Sequence, residues 1–228
     1  MQIQDNTFEL VLFDLDGTLV DTAPDMVKAL QEMQLDHGYD PVSYALGRSN
    51  VSNGAMGLLR IAFPDIDEEG RQSLIDEYIE RYAERLCEDS TVFAGLDVLL
   101  DSLDRAGCPW GVVTNKPERL TNPLLEQLGL ARRSVCAISG DTLAVRKPEP
   151  APLLLGCDIA GVEPHLTIYV GDAARDIEAG LRAGAATIAA GYGYITEDDD
   201  AREWGADMIA TTADELSQII RAAVTVDI

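Results

Sequence analysis

Five short apolar runs, at 8–13, 110–114, 135–138, 167–170 and 187–190, punctuate the chain, and helix-patterned segments lie between most of them. In 96–106, Leu96, Leu99, Leu100 and Leu103 recur at helical spacing and stop at Gly107; a second such segment, 176–183, stops at Gly184. Strands that alternate with helices build a parallel sheet covered on both faces. The expected fold is therefore α/β, a doubly wound, mostly parallel sheet.

One interval breaks the rhythm. From Asp14 to Trp110 the chain is far longer than the ten to twelve or so residues that a βαβ crossover needs. Thr22 or Asp21 is placed to cap a helix with Pro24 in its first turn, ending at Gly38. A second helix starts near Asp67 and carries Leu74, Ile75, Tyr78, Ile79, Tyr82 and Leu86 on one stripe, read as packing surface rather than chemistry. A helical module at 23–88 is thus expected within a core made of 1–22 and 89–228.

Charge and composition exclude several function classes. Forty acids against 17 Lys and Arg leave a formal charge of −23, which disfavours nucleic acid and anionic membrane surfaces as partners. No apolar run approaches the ~18 residues of a membrane span. The four cysteines, Cys87, Cys108, Cys136 and Cys157, form no CxxC pair and the chain has two histidines, so a zinc site is not expected. With no signal-peptide pattern at the start, the expected location is cytoplasmic.

The acids, by contrast, are placed with purpose. In an open parallel sheet the functional crevice lies beyond the carboxyl ends of the strands. Asp14 and Asp16 follow the first apolar run, Thr114 and Asn115 end the second, Lys147 follows the third, and Asp172 and Asp176 follow the fourth. Carboxylates this close repel one another unless a cation neutralises them, and hard oxygen ligands suit Mg²⁺. Such a set fits phosphoryl transfer. Three ionised carboxylates with a phosphate dianion outweigh one divalent cation and one lysine, so Asp16 is expected to carry a proton when substrate is bound and to act as general acid. Asp14, on the same side of the chain two residues earlier, is placed as nucleophile. The Thr114 hydroxyl and backbone N–H groups of the Gly17 turn are expected to hold the remaining phosphate charge.

The stretches FDLDGTLVDT, VVTNK, RKPEP (with Lys147) and VGDAARDIEAG resemble, in order and spacing, the four motifs of the haloacid dehalogenase superfamily. The resemblance implies a sheet of strand order 5-4-1-2-3 with an α-helical cap inserted after the first motif. It also implies an aspartyl-phosphate intermediate on Asp14, with Asp16 as the acid that later activates water, and phosphate binding by Thr114, Asn115 and Lys147. Mg²⁺ would be held by Asp14, the Asp16 carbonyl and Asp172, with Asp176 supporting the metal's waters. Dehalogenases lack the second acid, so Asp16 points to a phosphatase. A phosphosugar mutase of the same superfamily would need a cap His or Lys at the site, and neither His37 nor Lys28 is well placed. A receiver-like phospho-acceptor module would lack the inserted cap.

As a whole the chain is similar to phosphoglycolate phosphatases, while WGVVTNKP, GYGYI and WGAD look more like the N-acetylmuramic acid 6-phosphate phosphatase branch, an amino-sugar recycling step. The expected substrate is a small phosphorylated metabolite. Specificity is expected from the cap, which shields the site from water. Its most polar segment, GRSNVSNG at 47–54, reads as a loop in which Arg48 pairs with a substrate carboxylate. Ser49, Asn50, Ser52 and Asn53 there would meet hydroxyl or amide groups.

Overall fold

The computed structural model describes Ile3 and residues 7–224 of the 228; residues 1, 2, 4–6 and 225–228, at the ends of the expected core, lie outside them. The chain enters through β1 (Leu10–Phe13) and a two-residue strand β2 (Val20–Asp21). Four helices follow: α1 (Ala23–Asp36), α2 (Tyr44–Asn50), α3 (Gly54–Ala62) and α4 (Glu68–Glu84). The chain then returns in β3 (Thr91–Val92), antiparallel to β2, so that the two passages between helices and sheet are tied together.

Beyond β3 the alternation expected from the sequence appears. It comprises α5 (Leu96–Ala106), β4 (Trp110–Val113), α6 (Glu118–Gln127), β5 (Ala137–Ile138), α7 (Ala151–Ala160), β6 (Thr167–Gly171), α8 (Ala174–Ala183), β7 (Ala186–Ala190), β8 (Met208–Ala210) and α9 (Ala213–Ala223). The main sheet is parallel in the order β5-β4-β1-β6-β7-β8. Five strands follow the expected order and β8 adds a sixth at the edge. Three half-buried to buried residues between polar neighbours were too weak a pattern to read as a strand.

β1 is central, with β4 on one side and β6 on the other, so the strand order reverses around it and opens a crevice at its carboxyl end. Its four residues are fully buried, each contributing about 2 kcal/mol. In α5 the four leucines all face the core, as their spacing requires, and the helix closes at Gly107 in the left-handed region (φ 68°). α8 begins two residues before the expected start. Asp176 occupies its third position, and Oδ2 accepts a hydrogen bond from the Ala173 N–H (3.1 Å), satisfying an amide that the helix leaves open.

The helices α1–α4 share an apolar cluster that includes Val27, Leu30, Met33, Leu58, Phe63, Tyr78 and Tyr82, and Leu120 and Tyr194 from the sheet side join it. α4 starts as expected after Asp67, whose side chain accepts from the Gly70 N–H, and ends at Glu84, before Leu86. The segment 47–54 is not a loop: α2 runs to Asn50, a single 3-10 turn covers Val51–Asn53, and α3 starts at Gly54. Ser43 caps α2 by accepting from the Leu46 N–H (3.2 Å), which sets this segment in helix. At α1 neither expected cap acts. Thr22 Oγ1 instead donates to Asp16 Oδ1 (2.7 Å), and the Ala23 N–H is taken by the Tyr194 hydroxyl (2.9 Å), which itself donates to Asp21 (2.6 Å).

Candidate active site

At the carboxyl ends of β1, β4 and β6 the structure gathers Asp14, Thr114, Lys147, Asp172 and Asp176, all buried. Carboxylate oxygens of Asp14, Asp172 and Asp176 lie within 4.8 Å of one another. Lys147 Nζ sits 2.8 Å from Asp14 Oδ1 and 2.7 Å from Asp176 Oδ1, and donates to the Val113 carbonyl (3.0 Å) and the Tyr169 hydroxyl (2.8 Å). Burial works against the Lys147 charge, but Asp14 and Asp176 outweigh it and raise its pKa.

The remaining repulsion falls on the acids. Burial, reinforced by Asp14 and Asp176, pushes the Asp172 carboxyl well above the usual carboxylate range. Burial also raises Asp176, against the opposing pull of Lys147. Asp172 Oδ2 accepts from the Tyr194 N–H (2.8 Å) and the Ser52 hydroxyl (2.7 Å), whereas Oδ1 is buried and accepts nothing. An orphaned carboxylate oxygen among three clustered acids is a donor set that fits a hard divalent cation. Gly17 makes the approach possible: at φ +79° a Cβ there would lie 2.1 Å from Asp172 Oδ2. Its N–H, expected to serve phosphate, is committed to the Val20 carbonyl (3.0 Å).

Asn115 is also spoken for. Its amide donates to the Lys147 carbonyl (3.0 Å) and its oxygen accepts from the Lys147 N–H (3.1 Å), so its side chain braces the lysine's backbone while the residue also lines the cavity.

A cavity of about 870 Å³ opens above this floor, within the range of ligand pockets. Its walls combine Asp14, Asp16, Thr114, Lys116 and Lys147 with Ser52, Asn53, Ile75, Tyr78, Ile79 and Tyr82 from the inserted helices. Two sequence expectations change here. The stripe on α4, read as packing alone, also forms the roof of the cavity. Of the five polar residues in 47–54, Ser52 and Asn53 line the cavity. Arg48 instead lies over the Tyr194 ring (4.7 Å) and 3.8 Å from Asp21, while Ser49 and Asn50 bond back to the Leu46 carbonyl. Helical geometry turns these three away.

Lys116 was missed. It is 7 % exposed and bridges Asp16 Oδ1 (2.9 Å) and the Tyr82 hydroxyl (2.9 Å). The charge count from sequence, which assigned one lysine to the site, omitted this second one; its charge lessens the negative excess that was argued to keep a proton on Asp16 without removing it. Its place directly after Thr114-Asn115 was the available signal. Arg175, which donates to the Ser52 carbonyl, was also unanticipated. Lys28 and His37 pair with Glu88 (3.1 Å) and Glu77 (3.0 Å) on the surface, outside the cavity.

Comparison with known proteins agrees with this geometry. A family model described as haloacid dehalogenase-like hydrolase matches residues 11–190. A phosphoglycolate phosphatase of Xanthomonas campestris is 44% identical over 206 residues, covering 90% of this chain and 93% of that protein. An N-acetylmuramic acid 6-phosphate phosphatase of Pseudomonas aeruginosa is 41% identical over 214 residues, covering 93% and 95%. Among solved structures, a predicted phosphoglycolate phosphatase from Haemophilus somnus superposes with a TM-score of 0.82 at 29% identity, covering 93% of this chain and 97% of its own. With the acids, threonine and lysine held at the strand ends and the helical insertion above them, the chain belongs to the haloacid dehalogenase-like hydrolase family.

Proposed function

We propose that the protein is a Mg²⁺-dependent phosphatase that hydrolyses a small phosphorylated metabolite through an aspartyl-phosphate intermediate on Asp14. The observation that carries this reading is the buried Asp14–Asp172–Asp176 cluster, braced by Lys147, at the floor of a cavity that Asp16 also lines. Family membership and the two named relatives support a phosphoric monoester hydrolase. Their substrates, 2-phosphoglycolate and N-acetylmuramic acid 6-phosphate, are the leading candidates here.

In this reading Asp14, Asp172 and the Asp16 carbonyl would hold the metal, and Asp176 would support its site. Bound Mg²⁺ would offset the acids' repulsion and the charge of the phosphate oxygens. Lys147 and the Thr114 hydroxyl orient the phosphoryl group. An Asp14 oxygen bonds to phosphorus as the bond from phosphorus to the ester oxygen breaks, and Asp16 protonates the departing oxygen. Asp16 then takes a proton from the water that cleaves the aspartyl phosphate, returning Asp14 and releasing inorganic phosphate. The roof formed by α4 and the Val51–Asn53 turn keeps bulk water away.

No described helix is long and apolar enough to cross a membrane. The thiols of Cys87, Cys108, Cys136 and Cys157 are unpaired, which supports a reducing, cytoplasmic setting.

The test is steady-state hydrolysis of 2-phosphoglycolate, N-acetylmuramic acid 6-phosphate and glucose 6-phosphate, with Mg²⁺ and with excess EDTA. Mg²⁺-dependent release of phosphate from either leading substrate is expected. Full activity in EDTA, or release from none of the three, contradicts the reading.

A further inference from the structure

Resting on the phosphatase reading, we propose that Lys116 is a specificity-determining residue: its ammonium is the counter-charge for a carboxylate carried by the leaving alcohol beside the ester carbon. An ammonium has three N–H donors. Among the described residues, Lys116 Nζ donates to Asp16 Oδ1 and to the Tyr82 hydroxyl and meets no further acceptor. A side chain 4 % exposed on the wall of the cavity is thereby left with one donor unused, in surroundings where an unmet donor on a charge is costly.

Lys116 has no share in the phosphate floor. That charge is supplied by Lys147, whose Nζ is enclosed by Asp14, Asp176, the Val113 carbonyl and the Tyr169 hydroxyl. Nor is Lys116 needed to anchor Asp16 alone, because Thr22 donates to the same Asp16 oxygen (2.7 Å). Its position sets the range over which it reads. A general acid works within about 3 Å of the oxygen it protonates, and Nζ lies 2.9 Å from Asp16 Oδ1. Because Oδ1 is taken by Lys116 and Thr22, the proton comes from Oδ2, about 2 Å further on, and the ammonium is no more than about 8 Å from the ester oxygen. A carboxylate one carbon from that oxygen stays inside this reach in every orientation of the leaving group, whereas one across a sugar ring meets Lys116 only when the ring lies toward it.

The Tyr82 hydroxyl, held at 2.9 Å by the same ammonium, comes from α4. It fixes where the ammonium stands relative to the roof and so limits which leaving groups meet it.

The experiment compares kcat/KM for 2-phosphoglycolate with that for ethyl phosphate, which replaces the carboxylate by a methyl group, in wild type, K116M and K116R with Mg²⁺. Wild type is expected to prefer the carboxylate ester by at least about 30-fold, K116M to bring the ratio within about threefold of unity, and K116R to keep at least about tenfold. N-acetylmuramic acid 6-phosphate, measured alongside, is expected to lose less than 2-phosphoglycolate in K116M. Equal wild-type rates on the two small esters overturn the proposal without recourse to any variant. So does an equal loss on both in K116M, which marks Lys116 as a brace for Asp16, or a larger loss on the sugar phosphate. Melting temperatures of the variants verify that ratios come from folded protein. If wild type releases phosphate from no ester, the phosphatase reading itself fails, an outcome distinct from active enzyme without the preference.

Discussion

The floor and the roof of the cavity are built on different principles. On the floor, the functional side chains stand at or just beyond strand ends whose positions the sheet sets and are held by polar contacts: Lys147 by four partners, Asp172 by Tyr194 and, from the roof, Ser52, and Asp176 by Lys147 and its own helix start. On the roof, the same residues pack the helices and face the cavity: Tyr78 and Tyr82 belong to the apolar cluster and line the site as well. The floor is organised for charge, and the roof for shape. Rate is thus expected to depend on the floor and selectivity on the roof and on Lys116, where the two meet.

The largest break falls on the floor. Asp14→Asn is expected to reduce turnover below about one percent of wild type while the folded protein persists, as read by activity assay and thermal melt. Next comes the metal. Excess EDTA should stop the reaction and Mg²⁺ should restore it, while Mg²⁺ alone raises the melting temperature of metal-free protein. Because burial and repulsion burden Asp172 in the absence of a cation, Asp172→Asn should raise the melting temperature of metal-free protein by about 3 °C or more and abolish its response to Mg²⁺.

The roof is expected to respond more mildly. Tyr82→Phe removes one hydrogen bond to Lys116 and should lower kcat/KM about fivefold, a loss of about 1 kcal/mol, with melting temperature little changed. Arg48→Ala should leave kcat/KM within about twofold, because Arg48 stacks on Tyr194 outside the cavity. A large loss there would mean that the cap rearranges to bring Arg48 inward and would erase the contrast between the two regions.

This contrast also explains what could be read from the sequence. Asp14, Thr114 and Asp172 stand at the ends of apolar runs, with Lys147 in the loop and Asp176 in the helix start that follow such runs, and a parallel sheet brings these ends together. Five strands and their order followed from the same alternation and from family resemblance. β8 escaped because three residues carry too little periodicity. The roof was less legible for a physical reason: a tyrosine stripe at helical spacing looks the same whether it faces a core or a cavity. Likewise, polar residues in 47–54 resemble a loop until the Ser43 cap sets them in helix. Lys116 escaped because the charge count assigned a single lysine to the site, although its neighbours Thr114 and Asn115 were already placed at a strand end.

The central claim is that Asp14 becomes phosphorylated during turnover. Wild-type protein turning over 2-phosphoglycolate with Mg²⁺, quenched with borohydride and examined by peptide mass spectrometry, tests it directly, since borohydride reduces an acyl phosphate to homoserine. The account predicts homoserine at position 14 and nowhere else, and none without substrate. Steady release of phosphate with Asp14 unmodified, or homoserine at another acid, would contradict it.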